Sequence, residues 1–178
     1  MAKEIERKWL FNYADYEISN FNEDEYSEIK DYYFNRYCRL RVVDGFWYIT
    51  IKSEGGLIRD EEEFSIDKSE VDFIPTPMLK KKRIYVTVDK YIYEVNVFKD
   101  IYIECDGQMV NLITVELELE SPHAVITPPD FCGPEVTEQE CYYGYNLFNM
   151  LKTQTENSFK PKKKEDNIIY LKDFLDKR

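Results

Sequence analysis

Residues 4–8 read EIERK, near the start of a chain of 178 residues. Side chains two positions apart in a β-strand point to the same face of that strand. Glu4, Glu6 and Lys8 would therefore share one face. The stretch VELELE at residues 115–120 repeats this alternation, with carboxylates on one face and apolar side chains on the other. Both stretches predict β-strands that have one charged face.

Period-two alternation recurs along the first two thirds of the chain and predicts eight strands. Their expected ranges are residues 3–10, 28–34, 36–43, 46–53, 58–66, 81–88, 91–98 and 112–120. Asp44-Gly45 and Glu54-Gly55-Gly56 are typical of tight hairpin turns, and Asp89-Lys90 is a weaker turn signal. Consecutive strands should therefore be antiparallel neighbours. The intervening segments 12–27 and 67–80 are predicted to be helical or irregular.

The C-terminal third of the chain predicts one further helix. Thr137 and Glu140 have the spacing of a capping box. The apolar face that follows consists of Tyr142, Tyr145, Leu147, Phe148 and Leu151. The composition then becomes polar, which predicts one domain over residues 1–152 and a linker with a short terminal helix over residues 153–178.

The other predicted strands also carry charged residues on one face. These are Arg39 with Arg41, Glu61 with Glu63, Lys81 with Arg83, Glu116 with Glu118, and the single residues Lys52 and Glu94. One charged face taken alone most often lies in solvent, as it would in a β-sandwich. Eight such faces together favour a mainly β fold: a closed antiparallel barrel of eight strands, with a charged interior and an apolar outside covered by helices.

A charged barrel interior would suit a polyanion bound together with a metal ion. Lys and Arg neutralise phosphate oxygens, and carboxylates supply the oxygen ligands that Mg²⁺ or Mn²⁺ prefers. Closing the barrel would place its first and last strands side by side, so the glutamates of EIERK would lie near Glu116 and Glu118. That arrangement predicts a metal site. Phosphoryl transfer needs positioning, charge neutralisation and an oriented water, so no nucleophilic side chain is required.

Composition argues against several other classes of function. The formal net charge is −11 and the pI is about 4.7, which disfavours nonspecific binding to nucleic acid or to an anionic membrane. The four cysteines form no CxxC pair and are expected to be reduced, and His123 is the single histidine, which disfavours a histidine-based triad. The charged N-terminus and the lack of a long apolar stretch predict a soluble, cytoplasmic protein.

The motifs together resemble the CYTH superfamily, also called the triphosphate tunnel metalloenzymes, and are most similar to its bacterial tripolyphosphatase branch. EIERK fits the ExExK signature of that family. Further matches follow in chain order: RLR from Arg39, TIK ending at Lys52, RDEEEF with Glu61 and Glu63, KKR ending at Arg83, EVNVF from Glu94, VELELES with Glu116 and Glu118, and EVT from Glu135. The resemblance spans about residues 3–151.

This resemblance implies a metal-dependent triphosphatase with Mg²⁺ or Mn²⁺ as its cofactor. The implied metal ligands are Glu4, Glu6, Glu116 and Glu118, with Glu61 and Glu63 as additional ligands. The implied substrate-binding residues are Lys8, Arg39, Arg41, Lys52, Lys81 and Arg83. The implied catalytic residues are Glu6, Lys8, Lys52, Glu94 and Glu118, with Glu94 orienting basic groups or water. A helix over residues 138–151 would close one mouth of the tunnel.

The chain departs from the family pattern at four places. Asn96 stands where Asp is common, Gly144 where Asn is common, and Asp31 where Gln is common, and residues 99–111 form a longer stretch than expected between two strands. The implied substrate is inorganic triphosphate, with nucleoside triphosphates as poorer substrates. The alternatives are a class IV adenylate cyclase, a thiamine triphosphatase and a non-catalytic polyphosphate-binding module. The intact set of glutamates argues against the last of these.

Overall fold

The computed structural model describes residues 2–22, 26–54, 57–72 and 75–158. Strands dominate this part of the chain: β1 (Ala2–Phe11), β2 (Tyr26–Asn35), β3 (Cys38–Val43), β4 (Phe46–Lys52), β5 (Ile58–Ile66), β6 (Leu79–Val88), β7 (Tyr91–Cys105), β8 (Gln108–Glu118) and β9 (Cys132–Glu135). The α-helix α1 spans Gly144–Ser158, and short 3-10 turns lie at Ile18–Asn20, Lys68–Glu70 and Glu140–Tyr142.

The first eight strands form the closed antiparallel barrel predicted from the sequence. Their order around the barrel is β1-β5-β4-β3-β2-β6-β7-β8, and β8 returns to β1. The ring closes because β1 pairs with β5 through residues 2–5 and with β8 through residues 6–10. The stretches EIERK and VELELE therefore lie side by side, as expected.

The hairpin of β7 and β8 is longer than predicted. Both strands continue to a turn at Asp106 and Gly107, whose φ angles of +50° and +77° suit a tight hairpin. The predicted strand end at residue 98 and the predicted strand start at residue 112 are therefore wrong, because most of residues 99–111 continue the strand pairing after a register shift between Val97 and Tyr102. The sequence pattern also does not predict β9, which pairs with the end of β1.

Irregular segments, not helices, cover the outer wall formed by β1, β7 and β8. Trp9, Tyr93 and Val115 are buried on the outside of this wall. Residues 12–22 and 119–131 cross it, and aromatic side chains from both segments join the same apolar cluster. Large aromatic rings bury much surface each, so these segments can cover the wall without regular helical structure. The prediction of covering helices is therefore wrong here.

Helix α1 packs against one end of the barrel. Its buried residues Leu147, Phe148 and Met150 join a second apolar cluster with Leu79 and Phe98 of the barrel. The helix continues through residues 153–158, which the sequence analysis assigned to a linker. The rest of that linker and the predicted terminal helix lie outside the described residues.

The predicted capping box does not start this helix. The Thr137 hydroxyl accepts a hydrogen bond from the backbone N–H of Lys8 (3.1 Å) and donates to Glu135 (2.6 Å), so it is committed to β1 and β9. Glu140 begins a 3-10 turn, and the helix itself begins at Gly144. None of the helices in the described ranges is long and apolar enough to cross a membrane.

Candidate active site

The barrel encloses a cavity of about 440 Å³ that all eight of its strands line. Its cationic residues are Lys8, Arg36, Arg39, Arg41, Lys52, Arg59, Lys81 and Arg83. Its carboxylates are Glu4, Glu6, Asp31, Glu54, Glu61, Glu63, Glu94, Glu116, Glu118 and Glu140. Every candidate site residue chosen from the sequence lies in this lining. Because eight cations face ten carboxylates, the formal charge of the lining is −2.

Strand register explains why these side chains converge. Residues directly opposite one another in an antiparallel pair share a face of the sheet. Lys8 lies opposite Glu116, and Lys52 lies opposite Glu61. Every strand therefore directs its charged face into the barrel. Many of these charges meet an opposite charge on the next strand, whereas Glu6 lies directly opposite Glu118, a residue of the same sign.

One region of the tunnel, which we call the acidic group, contains Glu4, Glu6, Glu61 and Glu118. Arg59 Nε lies 2.6 Å from Glu4, and its Nη2 lies 3.5 Å from Glu6. Lys52 lies 3.3 Å from Glu4 and also contacts Glu61. In the described part of the chain, no ion pair or hydrogen bond reaches the carboxylate of Glu118. Partial burial and then the charges of the other three glutamates raise the pKa of Glu118.

The acidic group fits a hard divalent cation in its chemistry, although its carboxylates do not yet converge as a ligand set. Across the described ranges, no three Asp, Glu, His or Cys side chains are arranged closely enough to hold a metal ion. Lys52 and Arg59 occupy the space between them. The donors are all carboxylate oxygens, which Mg²⁺ and Mn²⁺ favour. Burial, and next the charges of Glu4, Glu6 and Glu61, raise the pKa of Glu118, and a bound cation would relieve the repulsion among these carboxylates.

A second network surrounds Glu116 in the middle of the tunnel. Its carboxylate lies 2.9 Å from Lys8 and 3.2 Å from Arg83, and it accepts a hydrogen bond from the Asn96 amide at 2.8 Å. Burial alone would raise the pKa of Glu116, but Lys8, followed by other cations, holds the pKa well below its ordinary value. Arg83 also contacts Glu94, whose pKa is raised mainly by burial. Glu116 is therefore ionised, and both of its carboxylate oxygens have polar partners.

A third region, which we call the cationic group, contains Arg39, Arg41 and Lys81 around Asp31. Arg41 donates to both carboxylate oxygens of Asp31, at 2.7 and 2.9 Å. Arg39 lies 4.0 Å from Asp31. No carboxylate among the described residues lies within 4 Å of the Lys81 amine, whose nearest aromatic contact is the Phe98 ring at 5.6 Å. Burial, and next the charge of Arg83, lowers the pKa of Lys81 to about 7.

Helix α1 and the turn before it complete the lining at one end. Residues 142–146 face the cavity, and the Tyr143 ring lies 6.0 Å from the Lys8 amine. At Gly144 the chain passes so close to Tyr33 that an added Cβ would lie 2.1 Å from the phenol oxygen. The Tyr33 ring also packs against Tyr145 and Phe148 of the helix.

The sequence analysis missed four charged residues of the lining, which are Arg36, Glu54, Arg59 and Glu140, and it missed the roles of Asp31 and Asn96. Arg59 is the most important omission, although it shares the lumen face of β5 with Glu61 and Glu63 and the same alternation could have identified it. Asp31 and Asn96 were noted only as departures from a family pattern. Their roles depend on partners from neighbouring strands, which periodicity alone does not reveal. Glu63 is in the lumen as predicted, where it accepts a hydrogen bond from Thr50 (2.9 Å).

Comparison with known proteins finds relatives of one kind by sequence. No family model matches the chain. An inorganic triphosphatase of Acetivibrio thermocellus is 30% identical over 163 residues, which cover 83% of this chain and 94% of the relative. An inorganic triphosphatase of Nitrosomonas europaea is 33% identical over 112 residues, covering 58% of this chain and 69% of the relative.

Solved structures share the same architecture. A crystal structure of an inorganic triphosphatase superposes with a TM-score of 0.53 and 26% identity, covering 83% of this chain and 95% of the other. A Bacillus halodurans protein proposed to be an adenylate cyclase superposes with a TM-score of 0.51 over 93% of this chain and 97% of its own. At 14% identity, this second likeness concerns the fold alone.

Proposed function

The chain belongs to the inorganic triphosphatase family of the CYTH superfamily, and from this premise we propose that it hydrolyses inorganic triphosphate within the barrel with the help of a divalent metal ion. The observation that carries the proposal is the enclosed tunnel, lined by cations and carboxylates from all eight strands. An enclosed, highly charged cavity of this kind suits a small polyanion and offers little apolar surface to other ligands.

The cations would bind the phosphate chain. Arg39 and Lys81 have the fewest short contacts to carboxylates. Lys52 contacts the acidic group and lies near Arg39 of the cationic group. Lys8 and Arg83 would reach phosphate oxygens from the network around Glu116. Arg41 lines the same surface but donates both bonds of its fork to Asp31.

The acidic group would hold Mg²⁺ or Mn²⁺ through Glu4, Glu6 and Glu118, with Glu61 nearby. When bound, such an ion neutralises phosphate charge and activates water. Binding would require Lys52 and Arg59 to move from the carboxylates toward the substrate's oxygens. In this exchange each cation keeps an anionic partner, and the carboxylates gain the metal ion. Glu63 and Glu116 remain predicted ligands, although each already accepts a hydrogen bond in the lumen.

Catalysis in such a tunnel rests on positioning and charge. We expect Lys8 and Lys52 to stabilise charge that develops on the transferred phosphoryl group. Glu94, whose pKa is raised by burial, faces the lumen beside Arg83 and would orient the attacking water. Nucleoside triphosphates would be poorer substrates, because their phosphate chain carries a bulky group that the tunnel must leave outside.

The decisive experiment is phosphate release from tripolyphosphate with Mg²⁺ or Mn²⁺, compared with EDTA. We expect release only with metal, and we expect ATP to react more slowly, with phosphate and not cyclic AMP as a product. Glu118→Gln should lower kcat by about 100-fold or more, since it removes a charge from the proposed metal ligands. Glu62→Gln, on the exposed outer face of β5, is the matched control and should change little. Undiminished release in EDTA would contradict the metal-dependent mechanism.

A further inference from the structure

Asp31 places a buried carboxylate inside the cationic group. It is 2% exposed, and both of its oxygens accept hydrogen bonds from Arg41, which is itself 9% exposed. Burial alone would raise the pKa of Asp31, but the charge of Arg41 and then that of Arg39 hold the pKa far below its ordinary value. Asp31 is therefore a permanent negative charge at the place where a polyanion meets this part of the tunnel.

The bidentate pair also determines which cations are available to a ligand. Arg41 uses its Nε and one terminal nitrogen on Asp31, the geometry in which a guanidinium fork binds a carboxylate most strongly. The ion pairs of Arg39 are long, at 4.0 Å to Asp31 and 3.8 Å to Glu61. Its buried Nε has no hydrogen-bond partner among the residues described. Lys81, which is also buried, has no carboxylate within 4 Å in that part of the chain.

We infer that Asp31 sets the affinity of the tunnel for polyphosphate, and that Arg41 serves as the partner of Asp31 and not as a phosphate ligand. Arg39 and Lys81 would then bind the anion, while Asp31 weakens their hold by like-charge repulsion across a low-dielectric interior. Since pyrophosphate, the product, is itself highly charged, this repulsion would help it to leave. The inference rests on the proposed function for its biological meaning, but its test uses binding alone.

The first test is calorimetric binding of inorganic pyrophosphate to the full chain and to Asp31→Asn. Removing the negative charge should tighten binding by about tenfold, even though the loss of a buried pair should lower the melting temperature. A purely structural role for Asp31 predicts weaker or unchanged binding, and either result would overturn the inference. The matched control is Glu135→Gln, which breaks the bidentate pair with Arg7 outside the tunnel and should leave pyrophosphate affinity unchanged.

A second variant keeps the inference testable if Asp31→Asn does not fold. Asp31→Leu combined with Arg41→Met replaces both members of the pair with apolar side chains, a change that buried ion pairs often tolerate, and it leaves the formal charge as it was. We expect its pyrophosphate affinity to stay within about threefold of the unmodified protein, because neither change removes a phosphate ligand. A loss of more than about tenfold would show that Arg41 binds phosphate and would overturn the inference. Absence of phosphate release by the unmodified protein would instead count against the proposed function.

Discussion

Asn96 shows how a neutral side chain supports two charges in the lumen. Its amide oxygen accepts a hydrogen bond from Arg83 (2.8 Å), and its amide nitrogen donates to Glu116 (2.8 Å). An Asp at this position could accept from Arg83 but could not donate to Glu116 at neutral pH. It would also place a second carboxylate beside Glu116 and so raise the pKa of one of the two. The departure from the common Asp is therefore consistent with an ionised Glu116.

Lys81 should make polyanion binding dependent on pH. Its pKa of about 7 leaves much of the amine neutral at pH 8, whereas a bound polyanion stabilises the charged form. Binding at about pH 8 should therefore take up as much as about one proton at Lys81, and affinity should fall as pH rises from about 6 to about 9. Calorimetry with Mg²⁺ and pyrophosphate, the expected product, in buffers of different ionisation enthalpy measures this uptake.

The matched variant for this measurement is Lys81→Arg, which stays protonated throughout the pH range. It should bind with less proton uptake and with a flatter pH dependence, after the protonation of free pyrophosphate is subtracted from both titrations. Equal uptake by the two proteins would mean that another group titrates.

At the level of single residues, alternation in the sequence predicts which face a side chain occupies but not what it contacts. Glu4, Arg39 and Glu118 were placed in the lumen from spacing alone, and the same rule would have included Arg59. The bond between Arg41 and Asp31 depends on the register of β2 with β3, which pairs these two residues directly. The register of a hairpin is determined by the geometry of its turn and not by the alternation of its residues. The pairing of Arg41 with Asp31 therefore could not be predicted from the alternation.

At Gly144, the first residue of helix α1, the backbone passes so close to Tyr33 of the barrel that a side chain would not fit without a shift. An added Cβ at Gly144 would lie 2.1 Å from the Tyr33 hydroxyl oxygen and 3.0 Å from the ring carbon that carries it. Gly144→Ala should therefore destabilise the fold by about 1–3 kcal/mol, although Ala is intrinsically the better helix former. Urea unfolding measures the change.

Tyr33→Phe provides the test of this cause, because it removes the atom that is closest to the new methyl group. In the Tyr33→Phe background, Gly144→Ala should cost at least about 1 kcal/mol less, which is a coupling typical of residues in contact. Equal costs in both backgrounds would place the strain elsewhere in the helix or its preceding turn.

Among the elements, the strands were easier to predict than the helix and the segments that cover the barrel. Strand periodicity is local, and β5 begins and ends at its predicted residues. The start of α1 was misplaced because the Thr137 hydroxyl contacts Lys8, a residue 129 positions away, instead of capping a helix. The extension of β7 and β8 was missed although Asp106-Gly107 is a recognisable hairpin turn, since residues 99–105 were not taken to be a strand.

For the whole molecule, the feature that could be predicted from the sequence was the closed barrel. A single charged face per strand is compatible with either solvated sheets or a charged lumen. Eight such faces together favour a closed barrel, whose apolar outside other segments can cover. The pairing of β1 with both β5 and β8 has the physical consequence that residues from the two ends of the domain meet in one cavity. The balance of charge in that cavity could not be predicted, because the lining also includes charged residues that the sequence analysis did not choose: Asp31, Arg36, Glu54, Arg59 and Glu140.

The formal charge of −2 in the lining leads to a prediction about ligand coupling. A polyanion alone would enter a cavity that is already negative, and a metal ion alone would compete with Lys52 and Arg59 for the acidic group. When the polyanion and the metal ion bind together, each should relieve the repulsion that opposes the other.

Tripolyphosphate with EDTA, or Mg²⁺ alone, should therefore raise the melting temperature only slightly, whereas pyrophosphate and Mg²⁺ together at about 100 times their Kd should raise it by about 5–10 °C. Pyrophosphate serves in the combined arm because the enzyme would consume tripolyphosphate. Sulfate at equal ionic strength controls for salt, and a full shift with polyphosphate in EDTA would show that the cations alone are enough to hold the anion.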